Sequence, residues 1–304
     1  MRKYPDNLKF KIELQHSLSA HKDCIYTCDT INTNEFYTGG GDGLLLKWDL
    51  SNTKEAYSLA KVDSSIYMIK QQNQQVIIGT NSGEIYSINT SSKKVTASTK
   101  TPKGVFTGII NDDLILLGLA DGVIAWLNLN SFKLITLKKI SEGHIRTLMR
   151  LSENEFAAGT SANEIILFNS DLNVFNKIDS AHSDSVFSIF KLNSNQFLSA
   201  GKDAHFKCWN LHNLKINNEV PAHLFAINSM AYNHHTKSIA TASRDKSIKI
   251  WDPQTLLLQK VIDRSKIAQA STHSVNKIQW LSSNQLLSVG DDKIIRVYLI
   301  EPTE

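Results

Sequence analysis

Short runs of alternating apolar and polar residues, separated by polar turns, make up most of the chain. In one stretch, the run Val186-Phe-Ser-Ile-Phe-Lys-Leu192 is followed by the turn Asn193-Ser-Asn195 and the run Gln196-Phe-Leu-Ser-Ala200. A further turn precedes a period-two run from His205 to Trp209 and the run Leu214-Lys-Ile-Asn-Asn-Glu-Val220. Alternation over four to eight residues is typical of β-strands with one buried face. The stretch therefore predicts four short strands and leaves no room for helices.

The same pattern recurs at a spacing of about 40 residues. Four copies begin with Ser or Thr and place an Asp four residues later and an aromatic residue six residues after the Asp; they are Thr38–Trp48, Ser199–Trp209, Thr241–Trp251 and Ser288–Tyr298. Three weaker copies keep the glycine and hydrophobic phasing at 78–88, 117–127 and 158–168. The final positions, 48, 88, 127, 168, 209, 251 and 298, are 40, 39, 41, 41, 42 and 47 residues apart. One four-stranded sheet buries too little surface to be stable alone, so the seven units must pack on one another.

The repeat length, the order His, Ser or Thr, Asp, Trp, and the Trp-Asp pairs at 48–49 and 251–252 resemble the WD-repeat β-propeller family. The resemblance covers nearly the whole chain. It implies an all-β fold: a seven-bladed β-propeller of four-stranded antiparallel blades around a central channel, forming a single domain over 1–304. The expected blades are 19–60, 61–100, 101–140, 141–180, 181–220 and 221–265, with the inner strands of blade 7 at 270–300.

Closure of the ring is a separate inference. The sequence ends at Glu304, shortly after Tyr298, so we expect the seventh unit to lack its outermost strand. The segment Leu8-Lys-Phe-Lys-Ile-Glu-Leu14 alternates like a strand but precedes the first unit. We therefore expect residues 1–18 to supply the missing strand of blade 7 by pairing with Lys293–Ile300. Closure would hide strand edges that otherwise template aggregation.

Each of the four well-formed units contains one set of polar and aromatic residues at matching positions. The sets are His21, Thr38, Asp42 and Trp48; His182, Ser199, Asp203 and Trp209; His223, Thr241, Asp245 and Trp251; and His273, Ser288, Asp292 and Tyr298. The resemblance implies a hydrogen-bond chain in each set, from the aromatic residue through the hydroxyl and the His to the Asp. A catalytic triad would occur once, in a cleft, whereas this arrangement occurs four times, so we interpret the sets as structural. Units 2 to 4 have lost most of these residues together, leaving Asp121 and His144, which we expect to be solvated or bonded to backbone.

The second residue of each innermost strand is the main candidate for function. The innermost strands are expected to begin at Ile25, Ile66, Val105, Ile145, Val186, Ile227 and Val275, and in the family the next residue lies at the channel mouth on the narrow face. That ring is Tyr26, Tyr67, Phe106, Arg146, Phe187, Asn228 and Asn276. Aromatic residues and Arg dominate interface energetics, which favours contact with a protein or peptide partner. The alternative is that the ring only plugs the channel. The connection Asp263–His273, the longest between blades, is a second candidate contact.

Composition narrows the classes further. A hydrophobic content of 41% with a net charge of +4 argues against disorder, and no apolar run approaches the roughly 18–20 residues of a membrane span. The first residues lack the apolar stretch of a secretory signal. Cys24, Cys28 and Cys208 lack metal-binding spacing, so we expect reduced thiols, no metal and no cofactor. We therefore expect a cytoplasmic, non-catalytic interaction scaffold that is a monomer or a subunit of a larger complex.

Two other functions stay open at this point. A subunit of a nucleic-acid or ribonucleoprotein assembly is suggested by the modest positive charge and by Arg2-Lys3, Lys93-Lys94 and Lys138-Lys139, although basic and acidic residues are otherwise interleaved. Steep salt dependence of RNA binding would favour it. A propeller hydrolase would need carboxylates around the channel, and the ring supplies none.

Overall fold

The structure, a computed structural model, describes residues 10–52 and 56–302 of the 304-residue chain. Within these ranges the regular elements are 28 strands and two single 3₁₀ turns, Leu50–Asn52 and Ala120–Gly122. No helical segment in this part of the chain has the length and apolarity needed to cross a membrane.

The strands are numbered in chain order. The first fourteen are β1 (Phe10–Ser19), β2 (Ile25–Thr30), β3 (Glu35–Gly40), β4 (Leu44–Asp49), β5 (Tyr57–Lys61), β6 (Ile66–Gln72), β7 (Gln75–Thr80), β8 (Glu84–Asn89), β9 (Lys94–Lys100), β10 (Val105–Asn111), β11 (Leu114–Leu119), β12 (Val123–Asn128), β13 (Lys133–Lys139) and β14 (Ile145–Arg150). The rest are β15 (Glu155–Thr160), β16 (Ile165–Asn169), β17 (Val174–Ile178), β18 (Val186–Lys191), β19 (Gln196–Gly201), β20 (His205–Asn210), β21 (Ile216–Pro221), β22 (Ile227–Asn233), β23 (Ser238–Ser243), β24 (Ile248–Trp251), β25 (Leu258–Ile262), β26 (Val275–Trp280), β27 (Gln285–Gly290) and β28 (Ile294–Pro302).

These strands form seven four-stranded antiparallel sheets, which confirms the predicted seven-bladed β-propeller. Six sheets use four consecutive strands each, from β2-β3-β4-β5 to β22-β23-β24-β25, and the seventh has the order β1-β28-β27-β26. The N-terminal strand therefore closes the ring: Phe10 pairs with Pro302, Ile12 with Ile300 and Ser19 with Ile294. The remainder of the predicted closing segment, residues 1–9 including Leu8, lies outside the described residues.

The core lies between neighbouring blades. One cluster joins Leu287 and Val297 of blade 7 to Ile25, Phe36 and Trp48 of blade 1, and similar clusters fill the other seams. Burial of such apolar surface supplies most of the stability that a single sheet lacks.

Four seams are so tight that only glycine fits on one side. The residue after the hydroxyl position is glycine in blades 1 to 4, and a Cβ there would lie 2.6–2.8 Å from the first residue of the next innermost strand; the pairs are Gly39 with Ile66, Gly79 with Val105, Gly118 with Ile145 and Gly159 with Val186. In blades 5 to 7 the same position holds Ala200, Ala242 and Val289. Seams in the first half of the ring are therefore closer at this point.

Candidate interaction face

All seven innermost strands begin on the same face of the ring, so their second residues surround one channel mouth. A cavity of about 470 Å³ opens there, and all seven residues of the predicted ring line it. Each of these side chains is half-buried, neither enclosed in a seam nor free in solvent. The seven residues divide into an aromatic–arginine part, contributed by blades 1 to 5, and an asparagine part, contributed by blades 6 and 7.

Three aromatic residues form a continuous row. The rings of Tyr26 and Tyr67 stack with centroids 4.7 Å apart and planes 7° from parallel, and Phe106 meets Tyr67 edge-on at 5.6 Å. Both arrangements suit the quadrupoles of the rings. Burial, together with the neighbouring Tyr67, raises the pKa of Tyr26 to about 12, so its hydroxyl stays protonated. The row is a rigid apolar surface with polar edges.

Arg146 continues the row by lying between two rings. Its guanidinium carbon is 4.6 Å from the centroid of Phe106 and 5.1 Å from that of Phe187. Burial lowers the pKa of Arg146 from its usual value, and no ion pair joins Arg146 to a carboxylate among the described residues. Stacking is favourable for a planar guanidinium and leaves its edge donors able to bind a partner.

The two asparagines have another use, because they tie blades together. Asn228 of blade 6 donates from Nδ2 to Ser274 Oγ and Val275 O of blade 7, both at 3.0 Å. Asn276 of blade 7 donates to Ile25 O of blade 1 at 3.0 Å and to Asp291 Oδ1 at 2.6 Å. Their amide donors are therefore committed within the ring, and we assign the candidate binding role to the five residues from Tyr26 to Phe187.

His144 extends the aromatic row, a role beyond that of the solvated or backbone-bonded remnant of a polar set that the sequence predicts. Its ring centroid is 5.7 Å from that of Phe106, and its Nδ1 accepts a 2.9 Å hydrogen bond from the backbone N–H of Asp121. With Nδ1 accepting, the proton lies on Nε2, where it can be donated. The side chain of Asp121 pairs with Lys103 at 2.5 Å.

Two exposed apolar residues on the same face were missed. Leu224 and Phe225, in the connection between β21 and β22, are 83% and 60% exposed. Their loop is nevertheless well held, since Leu224 N donates to Asp245 Oδ2 at 3.1 Å and Ser243 Oγ donates to Phe225 O at 3.0 Å. The sequence does contain a signal for them: blades 1 and 5 have polar pairs at the matching loop positions, Lys22-Asp23 and Ser183-Asp184, where blade 6 has an apolar pair.

The polar sets of blades 1, 5 and 6 form continuous hydrogen-bond chains. In blade 1 the indole Nε1 of Trp48 donates to Thr38 Oγ1 at 2.8 Å, Thr38 meets His21 Nε2 at 2.8 Å, and His21 Nδ1 meets Asp42 Oδ1 at 3.0 Å. The chains of blades 5 and 6 have the same links at 2.7–2.9 Å; they join Trp209, Ser199, His182 and Asp203, and Trp251, Thr241, His223 and Asp245. The three hydroxyl residues are fully buried, out of reach of any substrate in this conformation.

The set expected in blade 7 differs, and the prediction for His273 is wrong. His21, His182 and His223 each lie four residues before their innermost strand, whereas His273 lies only two before Val275. Ser271 holds the matching place and donates to Asp292 Oδ2 at 3.0 Å, while exposed His273 meets its neighbour Thr272. Asp292 also pairs with buried Arg296 at 2.9 Å. Ser288 and Tyr298 are buried nearby, and burial raises the pKa of Tyr298 to about 12.

The four-residue distance between the His of a polar set and the innermost strand also shows that His144 is not the His of a polar set in blade 4. It lies one residue before Ile145, so it is not the counterpart of His21; Ser141 is, and it donates to Glu164 Oε2 at 2.7 Å. Blade 4 thus keeps a polar contact at this end of the blade, although Ala162 holds the place of Asp42 and Glu164 lies two residues beyond it; His144 lies against the aromatic row instead.

The long connection 263–273 is held against the last blade. Arg296 Nε donates to Gln269 O at 2.6 Å, and Ala270 is buried. Cys24, Cys28 and Cys208 are all free thiols, and burial raises the pKa of Cys28 to about 12, which makes it a poor nucleophile. Among the described residues, no three His, Cys, Asp or Glu side chains converge as metal ligands would.

Comparison with known proteins places this architecture. The sequence profile of the WD40 family, described as "WD domain, G-beta repeat", matches residues 12–49, 214–252 and 264–298. Mitochondrial division protein 1 of Eremothecium gossypii is 32% identical over 128 residues, which are 39% of this chain and 17% of that protein. The WD repeat-containing protein 91 homolog of Dictyostelium discoideum is 24% identical over 324 residues, covering 95% of this chain and 40% of that protein. The chain thus spans less than half the length of either relative.

A solved structure agrees in fold. The crystal structure of the WD40 β-propeller domain of Doa1 superposes with a TM-score of 0.85, covering 95% of this chain and 96% of that chain at 15% sequence identity. At this identity the likeness concerns the fold and carries no functional residue across.

Proposed function

The chain is a WD-repeat β-propeller, and we propose that it is a non-catalytic platform that binds a protein or peptide partner on the face bearing Tyr26, Tyr67, Phe106, Arg146 and Phe187. Propellers of this family are typically scaffolds for protein interaction. The proposal carries with it the expectation that the protein acts in the cytoplasm, alone or as a subunit of a larger complex.

One observation carries the proposal: five consecutive blades contribute a single array of stacked aromatic rings with an arginine between two of them. Aromatic residues and Arg are enriched among the residues that dominate binding free energy. Rigid aromatic side chains also lose little conformational entropy when a partner binds. The array meets both conditions before any partner arrives, because its rings are already packed edge to face and face to face.

The cavity argues against the alternative that the ring is only a plug. Side chains that served only to fill the channel would leave little space among them, since protein interiors pack densely. Here the array borders an open volume of about 470 Å³. A side chain of a partner can therefore enter the channel mouth beside the rings, which supports binding there.

The basic segments support a nucleic-acid partner less well. Lys139 pairs with Glu142 at 2.5 Å, and Lys138 donates to Asn173 Oδ1 at 2.8 Å, so these charges have partners within the chain. Arg2-Lys3 lies outside the described residues. We therefore propose a protein or peptide partner.

The test compares two ends of the same channel. The double variant Tyr67→Ala, Arg146→Ala removes the centre of the array, and we expect partners captured by the tagged protein from its native source to be lost. The purified main partner should bind at least ten-fold more weakly, the loss typical of an interface hot spot, while the melting temperature changes little.

The matched control is Phe190→Ala, Tyr232→Ala. These rings stack with centroids 5.2 Å apart and border the second cavity, near the other ends of the innermost strands. This variant should bind normally. Equal binding by both double variants would contradict the proposal, and unfolding of the Tyr67, Arg146 variant would make the array a structural element.

A further inference from the structure

Below the aromatic array, the channel wall is lined by hydroxyl groups. They come from the third residue of the innermost strands, one position beyond the ring, and Thr27, Thr107, Thr147 and Ser188 all line the cavity of about 470 Å³. The structure gives these four side-chain hydroxyls no hydrogen-bond partner within the described residues. Their donors are therefore available to a molecule in the channel.

The third residue of the innermost strand of blade 7 is Lys277, so the channel wall carries a cation as well as the hydroxyl groups. Lys277 lines both the upper cavity and the second cavity of about 500 Å³ beneath it, which places it within the channel. Lys277 makes no ion pair within 4 Å with any described residue. Its charge is repelled by Lys70 and attracted by Asp29, and burial is the main cause that lowers its pKa.

The acidic group that acts on Lys277 and the one that lines the upper cavity, Asp29 and Asp291, already accept hydrogen bonds. Asp291 Oδ1 accepts from Asn276 Nδ2, and Asp29 accepts from the backbone N–H of Gln71 at 3.3 Å and from Gln279 Nε2 at 3.4 Å. The upper cavity is bordered by Arg146, Arg244 and Lys277 against the single carboxylate of Asp291. Partly desolvated cations without a counter-charge cost free energy that a bound anion recovers.

We propose that the channel beneath the array binds an oxyanion, a phosphate or a carboxylate group, between Lys277 and Arg146 with the hydroxyls of Thr27, Thr107, Thr147 and Ser188 as further donors. A phosphoryl or carboxylate oxygen accepts several hydrogen bonds at once, which matches a wall of hydroxyl donors better than a single point contact would. The site requires nothing of a protein partner, so it is tested without one.

The experiment titrates the purified protein with sodium phosphate and with sodium acetate against sodium chloride at constant ionic strength, by calorimetry and by melting temperature. We expect saturable binding of at least one of the two anions. Lys277→Met should weaken it at least ten-fold, because it removes the charge but keeps much of the volume, and should itself melt at the same or a higher temperature. The isosteric change Thr107→Val, which removes one donor, should weaken binding several-fold and serves if Lys277→Met does not fold.

The control is Lys202→Met, which removes a cation that pairs with Asp184 at 3.0 Å on the same face but does not line the cavity. Its anion binding should equal that of the unmodified protein. Preference for phosphate or for acetate decides which anion the site takes. Absence of saturable binding of either anion, or equal binding by the Lys277→Met and Lys202→Met variants, would overturn the proposal. Either result would leave the partner test at Tyr67 and Arg146 unaffected.

Discussion

Blades 1, 5 and 6 and blades 2, 3 and 4 fill equivalent positions in opposite ways. The first group buries a chain of four hydrogen-bonded groups, as from Trp48 to Asp42. The second group has apolar residues at the hydroxyl and aromatic positions, all with 0% exposure; these are Ile78 and Ile88, Leu117 and Leu127, and Ala158 and Phe168. A buried polar group is costly only when its partner is missing, so a chain lost as a unit leaves a stable seam.

The array draws on both groups of blades, since Tyr26 and Phe187 come from blades 1 and 5, but its centre lies in the blades that lack a complete hydrogen-bond chain. Blades 2, 3 and 4 supply Tyr67, Phe106 and Arg146 to the array, while blades 6 and 7 supply the asparagines that bind blade to blade. In blades 2 and 4 a glutamate lies two residues after the position that holds the Asp in a complete chain. It accepts hydrogen bonds from nearby hydroxyls, as Glu84 does from Thr80 at 2.9 Å. The polar side chains of these blades therefore form local hydrogen bonds or, like His144, lie at the channel mouth, instead of forming a buried hydrogen-bond chain.

The largest expected effect comes from removing the carboxylate that ends a hydrogen-bond chain. Asp245 accepts from His223, from Leu224 N and from Ser247, and its side chain is 6% exposed. Asp245→Ala leaves those donors unsatisfied and should lower the free energy of unfolding by about 3 kcal/mol. Urea denaturation measures the loss.

Asp121→Ala is the matched control, because Asp121 holds the same position in blade 3. Its side chain is half-exposed and pairs with Lys103 at the surface, where ion pairs contribute little. The urea midpoint should hardly move. Similar losses for both variants would mean that the hydrogen-bond chain does not distinguish the two groups of blades.

Acid should act on the complete chains. Burial alone would raise the pKa of Asp203, but hydrogen bonds from His182 and from the N–H groups of His205 and Ser183 outweigh it and lower the pKa to about 2. A folded pKa below the unfolded one of about 3.8 contributes stability that is present above pH 4 and lost as the pH falls through 2. His21 and His223 change stability with pH in the same direction. Burial lowers their pKa and favours the neutral form, so protonation at acidic pH also destabilises the folded state.

Asp203→Asn should therefore cost about 2 kcal/mol at pH 7 and almost nothing near pH 2. Urea midpoints measured from pH 7 to pH 2 give the two stability curves, which should converge at the acid end. Curves that stay parallel would show that ionisation of Asp203 is not the source of its contribution. Asp184→Asn is the matched control: its side chain is 42% exposed and pairs with Lys202 near the surface, where ion pairs contribute little, so the curve should change little.

How far sequence reasoning reached can be judged residue by residue. The ring from Tyr26 to Asn276 surrounds one mouth, as predicted, because its position depends only on where each innermost strand begins. Closure by β1 followed from the missing strand of the seventh unit. His273 was misassigned because similarity of order was used where the four-residue offset before the innermost strand decides the contact; that offset could have been counted.

Other features depend on side-chain direction, which the sequence pattern does not contain. Asn228 and Asn276 have the composition of a binding ring, yet their amides turn to the neighbouring blade. Leu224 and Phe225 are apolar and would be expected to be buried, but their side chains are exposed while their backbone is held by hydrogen bonds with Asp245 and Ser243, at the turn between β23 and β24. The direction in which a side chain points, and hence its role, is seen only in the three-dimensional structure.

A further effect is expected when the first link of the hydrogen-bond chain, from an indole to a hydroxyl, is built into blade 4. Phe168→Trp adds an indole N–H where Ala158, at the hydroxyl position, offers no side-chain acceptor, and it enlarges a fully buried side chain. The variant should lose about 1–3 kcal/mol of stability. Adding Ala158→Ser, at the ten-residue spacing seen for Ser199 and Trp209, should restore part of the loss. No recovery in the double variant would mean that the seam, rather than the missing acceptor, sets the cost.

The smallest effect on stability is expected from substitutions in the connection between β21 and β22, which holds the exposed residues Leu224 and Phe225. Asp245 ends the hydrogen-bond chain of blade 6 and also accepts from the backbone N–H of Leu224, whose side chain is 83% exposed, so a blade with a complete chain presents an apolar pair to solvent. Leu224→Ser with Phe225→Ser removes only exposed surface and should change the free energy of unfolding by less than about 0.5 kcal/mol.

If the partner that binds Tyr67 and Arg146 also covers this loop, the affinity of the Leu224→Ser, Phe225→Ser variant for that partner should fall several-fold. Leu257→Ser is the control: Leu257 is 67% exposed in the turn between β24 and β25, and because consecutive strands alternate in direction, that turn lies on the opposite face. Equal affinities for the unmodified protein and for both variants would confine the binding surface to the aromatic–arginine array.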